Sequence, residues 1–237
     1  MTYELVDFGN QCLPHELIRK ILKKKSKQLF MLGVYSFNDI SVFLERGNFE
    51  DIYKKEYLVY NNCPIEHFTN EVEKYSHSSI IKNTHCKFTY NHDFLYDIST
   101  NTIRNYDFIV HEFDEKIANL KQLFSNDKLP IFIHFSMIKI TGLEKMVSVL
   151  KSYMTKTFYI FIFVPDTCYP SNRENNNTLF ENIKFIYLEK DYIDWWKQPQ
   201  DIKMVLYKEI YDKYVDIMRK LQIEDNLISF EELDIKI

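Results

Sequence analysis

The sequence predicts an α/β fold, a mostly parallel sheet with helices on both faces, arranged as three layers in a single domain spanning residues 1–237. The second half of the chain alternates short apolar runs with amphipathic segments, in the order strand, helix, strand. These apolar runs are continuous, which is typical of strands buried on both faces. With 46% hydrophobic residues, a chain of this length can form its core without a disulfide or a metal.

The first half of the chain predicts shorter elements. Residues 5–8 form an apolar strand, Gly9 and Asn10 form a turn, and Pro14 takes an early position in a helix that runs to about residue 25. The other elements predicted here are, in chain order, a strand or buried loop at 29–36, a helix at 40–46 that ends at Gly47, an amphipathic helix at 49–57, a helix at 65–75, a strand within 80–91 and a helix at 106–124.

The second half predicts the parallel sheet most clearly. Its predicted elements are strands at 130–135, 158–164 and 183–188 and helices at 142–153 and 201–221. The last helix is expected to turn one apolar side inward, formed by Ile202, Val205, Leu206, Ile210, Tyr214, Val215 and Met218.

Charge and cysteine usage limit the classes of partner. A net charge of −4 gives no electrostatic case for nucleic acid or an anionic membrane, so we expect a protein or small-molecule substrate. The four cysteines show no framework spacing and the chain starts without a signal-like segment, which predicts a cytoplasmic, reduced protein. Abundant Ile, Lys and Asn indicate coding DNA rich in A and T, as in a large DNA virus, a protist or a low-GC bacterium.

Cys12 is the first candidate for chemistry, because it falls where the first predicted strand gives way to a helix. A thiol beside unpaired backbone N–H groups at the positive end of a helix dipole ionises easily, and the thiolate is its reactive form. The same N–H groups could bind an anion or stabilise an oxyanion. The alternative is that Cys12 is a small apolar residue packed beneath the helix.

A cysteine nucleophile needs a base, and His92 is the best-placed histidine because it follows a predicted strand. Asp93 is adjacent to it and can pair with it only if the strand has ended there, so Asp39 and Asn38 are rival orienting groups. His134 lies near the end of another predicted strand, either facing the same cleft or serving as a hydrogen-bonded core histidine.

Metal and cofactor sites are not favoured by the residue spacing. His77, His85, Cys86 and His92 could supply zinc ligands, but their spacing matches no compact zinc motif. The four glycines stand apart from one another, so the glycine-rich loops of nucleotide cofactors are absent from the sequence. We expect no cofactor.

Several short motifs resemble those of the DUF1796 family of papain-like cysteine peptidases. They are, in order, Gly9-Asn10-Gln11-Cys12, Leu17-Ile18-Arg19-Lys20, Ser36-Phe37-Asn38-Asp39, His92-Asp93-Phe94, the strand Ile131-Phe132-Ile133 and Trp196-Lys197. The resemblance spans most of the chain and implies Cys12 as nucleophile, His92 as base and Asp93 as the acid of the motif. It also implies a helical half packed on an antiparallel barrel, whereas the hydrophobic periodicity predicts a parallel sheet.

The chain departs from the family pattern at three places. Gln11 separates Asn10 from the cysteine, Asn38 replaces the aspartate of a Phe-Asp-Trp segment, and His134 stands where the family has arginine. If that aspartate orients the catalytic histidine, Asn38 can still accept a hydrogen bond in its place.

The sequence supports one leading hypothesis and two alternatives. The leading one is a cysteine-dependent hydrolase or acyl transferase that uses Cys12 and His92, with Asn10, Gln11, Asn38 and His134 as binding residues. One alternative is a non-catalytic interaction protein on the same scaffold, with an anion at the Cys12 turn. The other is an enzyme acting on sugar or nucleotide phosphates, in which His134 and His92 bind phosphate.

Overall fold

The computed structural model describes most of the chain. The residues it describes are 2–9, 13, 17–22, 29–30, 33–60, 81–90, 93–97, 99–136, 140–165, 181–189, 195–224, 227 and 229–233. Of the first predicted helix, only a π-helical turn at Leu17–Ile21 belongs to this part, and the helix predicted at 65–75 lies outside it. No helix of the described chain is long and apolar enough to cross a membrane.

The elements are numbered along the chain. The strands are β1 (Tyr3–Asp7), β2 (Gly33–Val34), β3 (Leu58–Tyr60), β4 (Ile81–Asn83), β5 (Phe88–Tyr90), β6 (Tyr96–Asp97), β7 (Thr102–Ile103), β8 (Leu129–Phe135), β9 (Tyr159–Pro165) and β10 (Ile183–Leu188). The α-helices are α1 (Phe37–Arg46), α2 (Tyr106–Ser125), α3 (Leu143–Tyr153) and α4 (Gln200–Lys220).

The main sheet is parallel throughout and has the order β1-β8-β9-β10. In its register Leu5 lies opposite Ile131, and Phe132 lies opposite Ile160. Every residue of β8 is buried, which is the pattern of a central strand covered on both faces. The α/β fold predicted from the sequence is confirmed, and the architecture is the one that the hydrophobic periodicity indicated.

Side chains alternate between two cores along the strands. On one face, β1, β8 and β9 pack against α1, α2, α3 and the small sheet; we call this the α1–α3 face, and Val6, Phe132 and Ile160 belong to it. On the other face, Ile131 and Phe161 pack against α4 and the turn at Leu17–Ile21; we call this the α4 face. Helices therefore cover both faces of the sheet.

A second, antiparallel sheet of order β2-β5-β4-β3 was not predicted. The single strand expected within 80–91 is instead the β4–β5 hairpin. Its turn forms because the Asn83 side chain accepts hydrogen bonds from the backbone N–H groups of His85 (3.0 Å) and Cys86 (2.8 Å). Lys87 then takes a left-handed conformation with φ 65°, which reverses the chain.

Helix α1 starts three positions before the predicted residue 40 because Ser36 and Asp39 form a capping box. The Ser36 Oγ accepts a hydrogen bond from the Asp39 backbone N–H at 3.1 Å, and the Asp39 carboxylate accepts from the Ser36 backbone N–H at 3.4 Å. The helix ends as expected at Gly47, whose φ of 69° suits glycine.

Two predictions on helices need correction. Residues 49–57 form two short 3₁₀ turns rather than one helix, because Lys54 adopts an extended conformation between them. In α4, Ile202 and Val205 are 48% and 53% exposed instead of facing inward. Ile202 lies in the first turn, ahead of the buried stripe that starts at Leu206, and Val205 lies on the exposed side that carries Lys208.

Candidate active site

The carboxyl edge of the parallel sheet is where an α/β protein ordinarily binds its ligands. Helices α1 and α3 start side by side at this edge. Their closeness shows at Gly142, the residue before α3, where an added Cβ would lie 3.1 Å from the backbone of Asn38 in the first turn of α1. The φ of Gly142 is 77°, a conformation that favours glycine, and a Cβ there would also make a tight contact with Asn38. Asn38 is exposed at this edge.

Cys12 and His92, together with Asn10 and Gln11, lie outside the described residues. The Cys–His pair therefore remains a prediction. The structure does describe the chain up to Gly9, three positions before Cys12, and from Asp93, directly after His92.

The chain leaves β1 through a tight turn at Asp7, Phe8 and Gly9. The Asp7 carboxylate accepts a hydrogen bond from the Gly9 backbone N–H at 2.8 Å, which fixes the start of the turn. Gly9 has φ 69°, and a Cβ there would lie 2.4 Å from the ring of Tyr35. Only glycine fits, so the segment that leads to Cys12 departs from a rigid, closely packed point.

Asp7 is completely buried in the described structure. Burial raises the pKa of its carboxyl to about 8, while the hydrogen bond from Gly9 and the positive charge of Lys116 act in the opposite direction. Burial also raises the pKa of Tyr35, and the negative charges of Asp93 and Asp7 raise it further. The charges of Asp7 and Asp93 therefore both raise the pKa of the buried Tyr35.

The segment after His92 is held against α2. Lys116 Nζ lies 3.6 Å from Asp93 Oδ1, and both side chains are nearly buried, at 6% and 11% exposure. The Asn105 amide donates to the Asp93 carbonyl at 2.8 Å and accepts from the Leu95 backbone N–H at 2.8 Å. Phe94, between them, is fully buried. The Asp93 carboxylate is thus paired with Lys116, and its expected role in orienting His92 stays a prediction.

His134 lies in β8 and is 3% exposed. Its Nδ1 is 3.2 Å from the Phe8 carbonyl oxygen and its ring centroid is 4.3 Å from that of Phe37. Burial lowers its pKa to about 4, partly offset by the hydrogen bond to Phe8, so the imidazole is neutral and Nδ1–H donates to the carbonyl. This geometry favours the core histidine, because a buried neutral ring has little capacity to bind an anionic substrate.

Of the rival orienting groups, Asp39 is engaged in the α1 capping box, and its carboxylate also accepts from the Ser36 hydroxyl at 2.5 Å. Asn38, next to it, has an amide where the family motif has a carboxylate, and it is exposed at the same edge. Within the described ranges, no three His, Cys, Asp or Glu side chains come together as metal ligands; His77 and His92 of the zinc alternative lie outside those ranges.

Two residues of this region were missed in the sequence, Asp7 and Lys116. Each carries a signal that could have found it. Asp7 interrupts the apolar run of the first strand, and Lys116 occupies the inward side of α2 together with Phe113 and Leu120, where an apolar residue is expected. A charged residue in a buried position is the informative exception to an apolar pattern.

Comparison with known proteins assigns the family. Residues 3–162 match the family model DUF1796, whose description is "putative papain-like cysteine peptidase". This range covers more than half of the chain and includes Cys12, His92, Asp93 and His134. None of the curated proteins and none of the solved structures compared with the chain matches it. On the strength of the family match, the chain belongs to the DUF1796 family.

Proposed function

We propose that the protein is a cysteine-dependent hydrolase in which Cys12 is the nucleophile and His92 is the general base and acid. The observation that carries the proposal is the convergence of the two chain segments that hold these residues. Asp7 precedes Cys12 by five positions and Asp93 directly follows His92. Lys116 Nζ lies 3.6 Å from Asp93 Oδ1, its charge lowers the pKa of Asp7, and both carboxyl groups raise the pKa of Tyr35 beyond the effect of burial.

The position of the first segment supports a reactive thiol. β1 ends at Asp7 on the carboxyl edge of the sheet, and the helical turn at Leu17–Ile21 follows Cys12. Backbone N–H groups between such a strand and the following turn are available to stabilise negative charge, either on a thiolate or on an oxyanion. We assign this role to the N–H groups of Asn10 to Leu13.

The proposed reaction hydrolyses an amide or ester bond in two stages. The Cys12 thiolate attacks the carbonyl carbon of an amide or ester, and the C=O electron pair moves onto oxygen, where the backbone N–H groups hold it. The intermediate collapses, the bond to the amine or alcohol breaks, and protonated His92 gives that leaving group its proton. Water then attacks the thioester, His92 takes a proton from the water, and Cys12 leaves as the thiolate.

Substrate binding is assigned to polar side chains of the same edge. Asn10 and Gln11 directly precede the nucleophile in the sequence, and Asn38 is exposed in the first turn of α1, next to the start of α3. Amides of this kind can bind the backbone of a peptide or a second amide through both a donor and an acceptor. Asp93 remains our candidate for the group that orients His92.

The rate of Cys12 alkylation by iodoacetamide, followed by mass spectrometry across pH, tests the proposal. Because the thiolate is the reactive form, we expect a midpoint well below the ordinary thiol pKa of about 8.5. His92→Ala should return the midpoint to about 8.5, since the imidazolium that stabilises the thiolate is gone. His111→Ala is the matched control, because this histidine is exposed on α2 and should leave the midpoint unchanged.

Two outcomes separate catalysis from the alternative of a non-catalytic interaction protein. For a hydrolase, p-nitrophenyl acetate should be turned over by the wild-type protein and not by Cys12→Ser. An ordinary midpoint that is the same in His92→Ala, with no ester turnover that depends on Cys12, would reject the hydrolase.

A further inference from the structure

Strand β3 is the outermost strand of the antiparallel sheet among the strands that the structure describes. The Thr84 N–H donates to the Tyr57 carbonyl at 2.8 Å, so Tyr57 and, two positions on, Val59 are the residues whose backbone groups pair with β4. Leu58 and Tyr60 alternate with them, and their backbone groups therefore point away from β4. The N–H of Leu58 closes the preceding turn. Its carbonyl and both backbone groups of Tyr60 face the open edge of the described sheet.

This edge carries none of the charged side chains that usually protect an edge strand from pairing. β10, at one edge of the main sheet, includes Lys184. β3 consists of Leu58, Val59 and Tyr60, and Val59 is 48% exposed. An exposed apolar edge with outward-facing backbone groups is a template for one more strand.

A cleft of about 530 Å³ lies between β3 and the antiparallel pair β6–β7. All three residues of β3 line it. Because successive side chains of a strand point to opposite faces, a cleft that meets three of them in a row runs along the edge of the strand and not over one face. The volume lies within the range of about 300–1,000 Å³ that is typical of ligand sites in proteins.

The base of the cleft is aromatic. The rings of Tyr60 and Tyr96 stack face to face, with their centroids 4.4 Å apart and their planes 5° apart. Both tyrosines line the cleft and also pack on the core of the α1–α3 face. Ile103 of β7 lines the cleft and packs on the same core. Apolar side chains of a ligand would be buried against these rings.

Lys55 gives the cleft its charge, because it is the one charged residue among the described residues that line it. Its Nζ lies 4.1 Å from the centroid of the Tyr106 ring, and no acid of the described chain forms a salt bridge with it. The charges of the β6–β7 pair cancel each other, since Arg104 Nε donates to Asp97 Oδ2 at 2.8 Å. The cleft is therefore complementary to a ligand that carries a carboxylate.

We propose that β3 binds an extended acidic peptide segment of a partner protein, which pairs with the open edge as an additional strand. Main-chain hydrogen bonds to Leu58 and Tyr60 supply affinity, and side chains at alternate positions of the peptide supply selectivity. Its apolar side chains fill the cleft and an acidic side chain pairs with Lys55. This site involves neither Cys12 nor His92, so it is a second function beyond the proposed hydrolysis and is tested independently of it.

Fluorescence anisotropy measures binding of two labelled octapeptides, one alternating valine with glutamate and the other alternating valine with lysine. We expect the glutamate peptide to bind at least about fivefold more tightly. The net charge of −4 favours the lysine peptide, so this preference cannot come from non-specific attraction. Lys55→Glu should reverse the preference, because it replaces the attracting charge with a repelling one. The glutamate peptide with every backbone amide N-methylated should bind at least about tenfold more weakly, because it has no N–H to donate.

A matched pair of variants locates the site. Val59→Glu places a carboxylate on the edge of β3 and should weaken binding of the glutamate peptide at least about threefold. Ile202→Glu adds the same charge at a residue that is also 48% exposed but lies on α4, across the main sheet, and should leave the affinity unchanged. Both positions are exposed, so both variants should fold, which circular dichroism checks.

The proposal is overturned if neither peptide binds at concentrations up to about 1 mM. It is also overturned if Val59→Glu binds the glutamate peptide as tightly as the wild type does. Equal binding of the N-methylated peptide would make the cleft a pocket for side chains alone and would reject strand pairing. Analytical ultracentrifugation tests a second copy of the chain as the occupant: a wild-type dimer that becomes monomeric in Val59→Glu would replace the partner peptide with self-association through β3.

Discussion

The two faces of the parallel sheet are built from different kinds of side chain. On the α1–α3 face, strand β8 and the covering elements bury a histidine, a lysine, an aspartate and an asparagine; these are His134, Lys116, Asp51 and Asn83. On the α4 face, the buried residues that α4 contributes are aliphatic or tyrosine, and among the described residues none of them is charged. Both faces stabilise the fold, but the elements that cover the α1–α3 face bury charged side chains, whereas α4 buries apolar side chains and the phenols of tyrosines.

The difference between the two faces shows that the α1–α3 face contains buried charges that a helix does not need in order to pack on the sheet. An apolar helix face packs onto a sheet without any buried charge, as α4 does. The charged groups of the other face add little to stability compared with apolar replacements, since desolvation offsets most of their attraction. Lys116 and Asp93, whose Nζ and Oδ1 atoms lie 3.6 Å apart, form such a pair on the α1–α3 face.

Among the variants that test this contrast between the two faces, Lys116→Met should have the largest effect on the free energy of unfolding. Removal of the ammonium leaves Asp93 nearly buried without its cation, so we expect the free energy of unfolding to fall by about 4 kcal/mol. Lys208→Met on the α4 face is the control, because that lysine pairs with Asp212 and Glu231 in the open and should cost no more than about 0.5 kcal/mol. Urea unfolding measures both, and equal losses would contradict the contrast.

The α4 face should respond to loss of volume instead of loss of charge. Ile210 is fully buried, so Ile210→Ala should lower the free energy of unfolding by about 3 kcal/mol through lost burial and the cavity left behind. Ile202→Ala, at 48% exposure, should cost well under about 1 kcal/mol. Thermal unfolding compares the two, and a large loss at Ile202 would restore the inward position predicted from the sequence.

The pH dependence of the free energy of unfolding should reveal the raised pKa of Asp7. Its folded pKa of about 8 lies above the unfolded value of 3.8, so the folded protein retains a proton that the unfolded chain has released. This contribution is complete below pH 3.8 and is lost as the pH rises towards 8. Asp7→Asn has no such loss, and from pH 5 to 8 its free energy of unfolding should rise by about 3 to 4 kcal/mol relative to wild type. A constant difference across that range would contradict the raised pKa.

The smallest effect concerns the start of α1 at the carboxyl edge. Ser36→Ala removes the hydroxyl that accepts from the Asp39 N–H and should lower the free energy of unfolding by about 1 kcal/mol. Ser229→Ala is a comparison, because that serine forms a capping box in an exposed 3₁₀ turn near the end of the described chain and should cost less. Denaturant midpoints measure both losses, which should not be equal.

The parallel sheet and the helices at its sides were predictable because their signals are local. Continuous apolar strands such as β8 and the periodic pattern of α2 depend on hydrophobic spacing alone. The β4–β5 hairpin was missed because its turn depends on the Asn83 side chain reaching two backbone N–H groups, which hydrophobic spacing does not show. Ile202 and Val205 were misplaced because an apolar residue fits the helical pattern even where it lies ahead of the buried stripe, as Ile202 does, or on the exposed side, as Val205 does.

From the sequence, the candidate active site could be predicted only as a set of short motifs. Short segments around Cys12 and His92 pointed to the family, and the family match covers both. Lys116 was missed even though it interrupts the apolar side of α2, and its contact with Asp93 at 3.6 Å exists only in the folded chain. The role of His134 could not be decided from the sequence, since its hydrogen bond to the Phe8 carbonyl exists only in the assembled sheet.

The most direct test of the central claim is the distance between Cys12 Sγ and the nearer ring nitrogen of His92, measured in a crystal structure of the protein without substrate. If Cys12 and His92 act as nucleophile and base, this distance should be about 4 Å, allowing for the looseness of an unliganded site. A separation beyond about 8 Å, with both side chains ordered, would contradict the account.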